Sequence, residues 1–221
     1  MAAQFLPLGD QAVLASFADE AAALGFAAAV RRAGDPWLVD IVQAYTTVAV
    51  FFDLDQTTSA AVTERLRRLG QDASAAGMAH FGGLHQIPCC YEFQLDLARV
   101  AAHTRLSADA VIQMHTGTEY TIYAIGFCPG FPYLGYLPAE LTGVPRLETP
   151  RVRVEAGSVG LTGRQTGIYT EPRPGGWNLI GRTPLELVHV ADGYFPLRTG
   201  DRVRFTRIDE GEFRRLLGQR L

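Results

Sequence analysis

The sequence predicts a small α+β module followed by a larger, mainly-β domain closed into a barrel or sheet. Three observations carry this. Residues 1–75 alternate short apolar runs with two capped helical stretches. Residues 71–83 (QDASAAGMAHFGG) then turn small and polar, as a linker does. Beyond Leu84, short apolar runs recur between loops rich in Gly and Pro, the pattern of an all-β domain. The expected domains are therefore 1–75 and 84–221.

In the first domain, Phe5 to Leu8 and Ala12 to Phe17 flank the turn dipeptide Gly9-Asp10 and read as two strands or one bent strand. Asp19 is placed to cap a helix running to about Arg32, which Gly34-Asp35-Pro36 ends. Trp37 to Tyr45 and Val48 to Leu54 read as a strand pair. Thr57, Thr58 or Ser59 caps a second helix, with Val62, Leu66 and Leu69 on one face and Gly70 at its C-terminus. The order β-β-α-β-β-α predicts helices packed on one face of a mainly antiparallel sheet.

The second domain opens with a strand over Leu84 to Tyr91. Leu95 to His103 and Ser107 to His115 follow as short helices joined by Thr104-Arg105-Leu106. They superficially suggest a helix-turn-helix, but Arg99 and Arg105 are matched by Asp96 and Asp109, so they are read as covering one end of a β structure. Tyr120 to Ile125, Arg151 to Val159, Thr166 to Thr170, Trp177 to Ile180, Leu185 to Val190 and Arg202 to Phe205 read as strands. Gly211 to Leu221 reads as a terminal helix with Phe213, Leu216 and Leu217 inward.

Composition excludes several chemistries. All 20 basic residues are arginine, so there is no Walker A lysine, no Schiff base and no lysine-linked cofactor. Three cysteines, two of them adjacent, make no disulfide framework. No apolar run approaches the roughly 20 residues of a membrane span, and the N-terminus lacks a signal pattern, so no membrane association and a cytoplasmic location are expected. The net charge of −3 gives no nucleic-acid footprint. Within 145–182, six arginines (146, 151, 153, 164, 173 and 182) face only Glu148, Glu155 and Glu171, an excess that suits a carboxylate or phosphate ligand.

Two stretches hold the candidate site. Gly126 to Pro138 reads GFCPGFPYLGYLP, and Gly157 to Arg182 reads GSVGLTGRQTGIYTEPRPGGWNLIGR. Their glycines and prolines serve either the tight turns of a β core or a ligand site. Between them stand Phe127, Phe131 and Tyr133, then Gln165, Thr166, Tyr169, Trp177, Asn178 and Arg182. Amides, hydroxyls and a guanidinium orient a small polar molecule, and aromatics wall it in.

His115 is read either as a helix-end cap or as a site base. Cys128 has no nearby base in sequence and is read as a packed turn residue rather than a nucleophile. Ser158 lacks the first glycine of a nucleophile elbow. His80, His85, Cys89 and Cys90 have no metal-ligand spacing, so no metal is expected. Catalytic residues stay unassigned, and either a partner completes the site or the protein binds and regulates.

The motifs IGFCPGFPYLGYLP, PRVRVEAGSVGLTGRQTGIY, PGGWNLIGRTP and GDRVRF, with the N-terminal LGD, resemble the KipI-like family over nearly the whole chain. That family comprises the B subunit of bacterial 5-oxoprolinase, also called allophanate hydrolase subunit 1, and the sporulation-kinase inhibitor KipI. The resemblance implies a small N-terminal α+β domain followed by a mainly-β cyclophilin-like barrel domain. It also implies partners, the KipA-like C subunit and the A subunit of 5-oxoprolinase. Their complex consumes ATP to open the cyclic amide 5-oxo-L-proline to L-glutamate. The chain is expected to be inactive alone.

The resemblance leaves two further readings. One is an inhibitor binding a sensor histidine kinase, and the other is an allophanate hydrolase or urea carboxylase component. On side-chain chemistry, Arg182 is expected to clamp the substrate carboxylate, Gln165 and Asn178 to meet the lactam, and Tyr169, Phe127 and Phe131 to form walls.

Overall fold

The fold comes from a computed structural model that describes residues 3–75 and 82–221. The chain divides into two compact units, Met1–Phe81 and Gly82–Leu221.

In the first unit, β1 (Gln4–Pro7), β2 (Ala12–Ser16), α1 (Glu20–Ala33), β3 (Leu38–Ala44), β4 (Thr47–Phe52) and α2 (Ser59–Ala75) follow in order. The strands pair antiparallel as β1-β2-β4-β3. Asp19 accepts the Ala22 N–H at 2.8 Å and Gly34 closes α1 in the left-handed region, so a local cap at each end defines that helix. Phe26, Ala27 and Val30 from α1 meet Val62, Leu66 and Leu69 from α2 over Val13, Ala15, Val48 and Val50, forming one core. Helix α2 continues through Gly70 to Ala75, which corrects the expected stop. Gly70 faces the Phe26 and Phe5 rings, and packing along α2 offsets the roughly 1 kcal/mol cost of a helical glycine. The expected linker thus begins as helix, and its residues 76–81 lie outside the described residues.

The second unit contains β5 (Leu84–Cys90), α3 (Leu97–Thr104), α4 (Ala108–Gly117), β6 (Glu119–Ile125), β7 (Pro132–Gly135), β8 (Arg151–Val154), β9 (Ser158–Thr162), β10 (Gln165–Ile168), β11 (Arg173–Gly175), β12 (Asn178–Arg182), β13 (Arg202–Ile208) and α5 (Glu210–Leu216). Seven strands run β6-β13-β5-β12-β9-β10-β7, and β7 pairs back to β6, which closes a barrel and leaves it no free edge. β5 and β13 pair in parallel from Leu84 opposite Arg202 to Cys90 opposite Ile208. The barrel interior is packed with Ile87, Tyr120, Ile122, Leu134, Leu161 and Phe205, among others.

Four expectations change here. β7 lies inside the Gly- and Pro-rich first motif, where no strand is legible. The run Arg151 to Val159 is two strands, because Glu155–Gly157 turns between them. Gly157 has φ 82°, and a Cβ on it would sit 2.3 Å from the Thr183 carbonyl. This turn frees β8 to pair with β11 in a separate two-stranded ribbon. Leu185 to Val190 is not a strand; Glu186 donates its N–H to the Gln219 carbonyl, and His189 pairs with Tyr194, so its backbone is satisfied outside any ladder. At the C-terminus Phe213 is buried against Phe93, whereas Leu217 is exposed because α5 has already ended.

Candidate functional site

The loop from β6 to β7 builds one wall of a cleft. Cys128 N–H donates to the Gly126 carbonyl at 2.8 Å across Phe127, which has φ 69°. This three-residue turn puts a bulky side chain in a region that disfavours it, at a cost met by the surrounding contacts. Phe127 is left 59% exposed, yet its ring packs edge-on against Phe131 and Tyr169.

Phe131 is the centre of the cluster. Tyr169 and Trp177 meet it at centroid distances of 5.3 and 5.5 Å, close to perpendicular, and Tyr133 meets it at 4.9 Å. Such geometry sets ring edges against ring faces and fixes the walls. Two glycines make room. A Cβ on Gly167 would stand 3.0 Å from both Phe131 and Trp177 ring atoms, and one on Gly175 would stand 2.2 Å from the Tyr169 hydroxyl.

The resulting cleft holds about 250 Å³ and is lined by Phe127, Phe131, Tyr133, Tyr169 and Trp177 from the barrel and its loops. Pro150, Pro174, Gly175 and Gly176 close it from the ribbon side, and Arg146 adds the only charge among these lining residues. Burial raises the Tyr133 and Tyr169 phenols above their usual range, and the nearby Arg146 guanidinium opposes that rise. Both hydroxyls are therefore neutral donors at neutral pH. The cleft suits a small, flat, polar molecule held by ring faces and a few donors.

The ribbon is fixed to the barrel by Asp96. Its carboxylate accepts Arg151 Nη2 at 2.7 Å and the Leu179 N–H at 2.7 Å, and the Leu179 carbonyl accepts the Asp96 N–H in return. Asp96 thereby joins the start of α3, β12 and β8.

Of the expected site residues, the structure gathers Phe127, Phe131, Tyr133 and Tyr169 in the cleft and leaves out the polar ones. Gln165 stands at the start of β10, opposite Gly135 and Thr162. Asn178 is fully buried; it donates to the Pro145 and Leu161 carbonyls and accepts from Arg99. Arg182 Nε donates to the Ala156 carbonyl at 2.9 Å, and its guanidinium lies over the Phe213 ring. Arg182 braces the turn before β9 and does not line the cleft, because its partner is a carbonyl 26 residues upstream that sequence spacing cannot reveal.

His115 and Thr166 form one buried chain. Thr166 Oγ1 donates to the Gly160 carbonyl and so accepts from His115 Nε2–H; Nδ1 then accepts the Tyr91 hydroxyl proton at 2.7 Å. Burial pushes the His115 imidazole down to about 3. It is a neutral core residue stacked on Phe205, not a base in the cleft.

Cys128 is buried in the aromatic cluster, with the Thr170 hydroxyl 3.5 Å from its sulfur, consistent with a packed role. His85 pairs with Asp201, and His80 lies outside the described residues. No cluster of metal-ligating side chains occurs among the described residues. Arg146 is legible in the sequence only as one member of the local arginine excess.

The barrel unit is thus a closed barrel bearing an aromatic cleft with two phenols and one guanidinium, and with no nucleophile–base pair among the lining residues. The family model "Carboxyltransferase domain, subdomain C and D" matches residues 3–193, and the chain belongs to that family. It is 35% identical over 233 residues, 95% of each chain, to the B subunit of Bacillus subtilis 5-oxoprolinase, so the resemblance drawn from the motifs holds. The crystal structure of TTHA0988 superposes with a TM-score of 0.77 at 35% identity, covering 90% of this chain and 40% of that one. The chain thus spans well under half of TTHA0988. Kluyveromyces lactis urea carboxylase shares the fold at 16% identity, with a TM-score of 0.72 over 97% of this chain and 22% of that one. Among the described residues, no helix is long and apolar enough to cross a membrane.

Proposed function

We propose that this chain is the B subunit of an ATP-dependent 5-oxoprolinase that opens 5-oxo-L-proline to L-glutamate. The observation that carries the reading is the likeness to the Bacillus subtilis protein of that name across 95% of both chains. In the reaction, water oxygen adds to the lactam carbonyl carbon, the ring C–N bond breaks, and the nitrogen leaves as an amine while ATP is hydrolysed. The cleft binds the cyclic amide. Phe131 and Trp177 hold the ring, and the Tyr133 and Tyr169 hydroxyls donate to oxygen atoms on it.

The lining residues supply no base, nucleophile or phosphate loop, so the A subunit and the KipA-like C subunit contribute the missing groups and most of the ATP handling. The complex works in the cytoplasm. The two units fold as separate domains, the second a cyclophilin-like barrel. Mixing the purified chain with the A and C subunits of its host should generate 5-oxoproline-dependent ADP release. A complex that assembles but turns over urea or allophanate instead would transfer the chain to that chemistry, and tight inhibition of a sensor histidine kinase without any turnover would make it a regulator.

A further inference from the structure

Arg146 is the one arginine among the residues lining the cleft, and among the described residues it shares its lack of a carboxylate partner with Arg99, Arg105, Arg164, Arg182 and Arg198. Arg151 pairs with Asp96, Arg153 with Glu155 and Arg173 with Glu171, whereas no ion pair joins Arg146 to a carboxylate among the described residues. Its backbone is nonetheless held from both sides. Asn178 Nδ2 donates to the Pro145 carbonyl at 3.0 Å, and the Leu147 N–H donates to the Gly176 carbonyl at 2.8 Å. Asn178 is itself fully buried and fixed by Arg99. A guanidinium carried on pinned backbone, at the rim of an aromatic cleft and near two phenols, is a preorganised receptor for a planar oxyanion.

The size of the cleft limits the ligand. About 250 Å³ between ring faces admits one small ring, and a single guanidinium does not match a nucleotide triphosphate. We infer that the cleft selects a small planar ring bearing one carboxylate, with Arg146 clamping that carboxylate and Tyr133 and Tyr169 donating to the ring's other oxygen. This rests on the reading of the cleft as the substrate site. Asn178 then acts as a positioning residue, through the Pro145–Arg146 backbone rather than by touching the ligand.

Trp177 provides the probe, since it lines the cleft and the only other tryptophan, Trp37, can be replaced by Phe. Fluorescence titrations of the full chain, and calorimetry on the reconstituted complex, would compare 5-oxo-L-proline, 2-pyrrolidinone and inorganic phosphate. The expected order has 5-oxo-L-proline about 10- to 100-fold tighter than 2-pyrrolidinone, which keeps the ring and lacks the carboxylate. Phosphate should not compete. Arg146→Gln should erase the difference between the two rings, and Arg146→Lys should restore part of it.

Equal affinity for the two rings, competition by phosphate, an unaffected Arg146→Gln variant, or no binding in either preparation would each overturn the inference. Should Arg146→Gln fail to fold, the Tyr133→Phe and Tyr169→Phe pair tests the same cleft. The carboxylate clamp and the oxoprolinase role fail separately. Arg146-dependent binding of ring carboxylates without any 5-oxoproline turnover would leave the clamp and remove the oxoprolinase role. Full turnover by an Arg146→Gln complex would do the reverse.

Discussion

Arg182 and His115 illustrate how a polar side chain can be spent on the fold. Arg182 gives its Nε to the Ala156 carbonyl, so Arg182→Lys should cost about 0.5–1.5 kcal/mol of stability while leaving ligand affinity near wild type. Thermal melts and titrations on the one variant separate a brace from a clamp. His115 is held neutral in the folded state, with its pKa lowered to about 3, while the unfolded chain binds a proton near the ordinary value of about 6.5. Between those values the unfolded state carries more protons, so stability is complete above about pH 6.5 and falls as the pH drops toward 3. The expected slope from this one site is about 1.4 kcal/mol per pH unit. His115→Gln, which can still donate to Thr166, should flatten that part of the pH–stability curve; an unchanged slope would mean that other groups govern acid unfolding.

At the level of elements, the cleft depends on the ribbon of β8 and β11 standing where it does. Gly175→Ala would drive a methyl group into the Tyr169 hydroxyl. The variant should lose about 1–3 kcal/mol of stability and weaken ligand binding, checked by melting and by titration. Asp96→Asn tests the other anchor, because it breaks the charged bond to Arg151 and weakens the acceptor for the Leu179 N–H, at a cost of about 1.5–3 kcal/mol.

The elements legible in the sequence are those with local signals. α1 has its Asp19 cap and its Gly34 stop, and α4 has the Ser107 cap that accepts the Ala110 N–H. β7 is hidden because its identity comes from pairing with β6 and β10 rather than from its own residues. The aromatic half of the cleft is readable from residue type. The polar half is not, because Asn178, Thr166 and Arg182 look alike in sequence whether they face a ligand or a buried carbonyl.

Over the whole molecule, the barrel closes on itself through β6 and β7 and brings both motifs to one cleft, although 39 positions separate Trp177 from Pro138, the end of the first motif. We expect the two units to behave as domains joined through residues 76–83, between the end of α2 and the start of β5. Limited proteolysis should therefore nick first within that stretch, and a first cut inside 120–190 would contradict it.

If the aromatic cleft is the substrate site of a 5-oxoprolinase subunit, Phe127 is the residue at which this can be measured with least disturbance to the fold. Its ring is exposed at the cleft and supports little of the core, so Phe127→Ala should fold normally. In the complex with the A and C subunits, removing this aromatic wall should raise KM for 5-oxo-L-proline by about 3- to 10-fold and leave KM for ATP unchanged. Steady-state kinetics in which both constants stay at their wild-type values would mean that the substrate binds elsewhere.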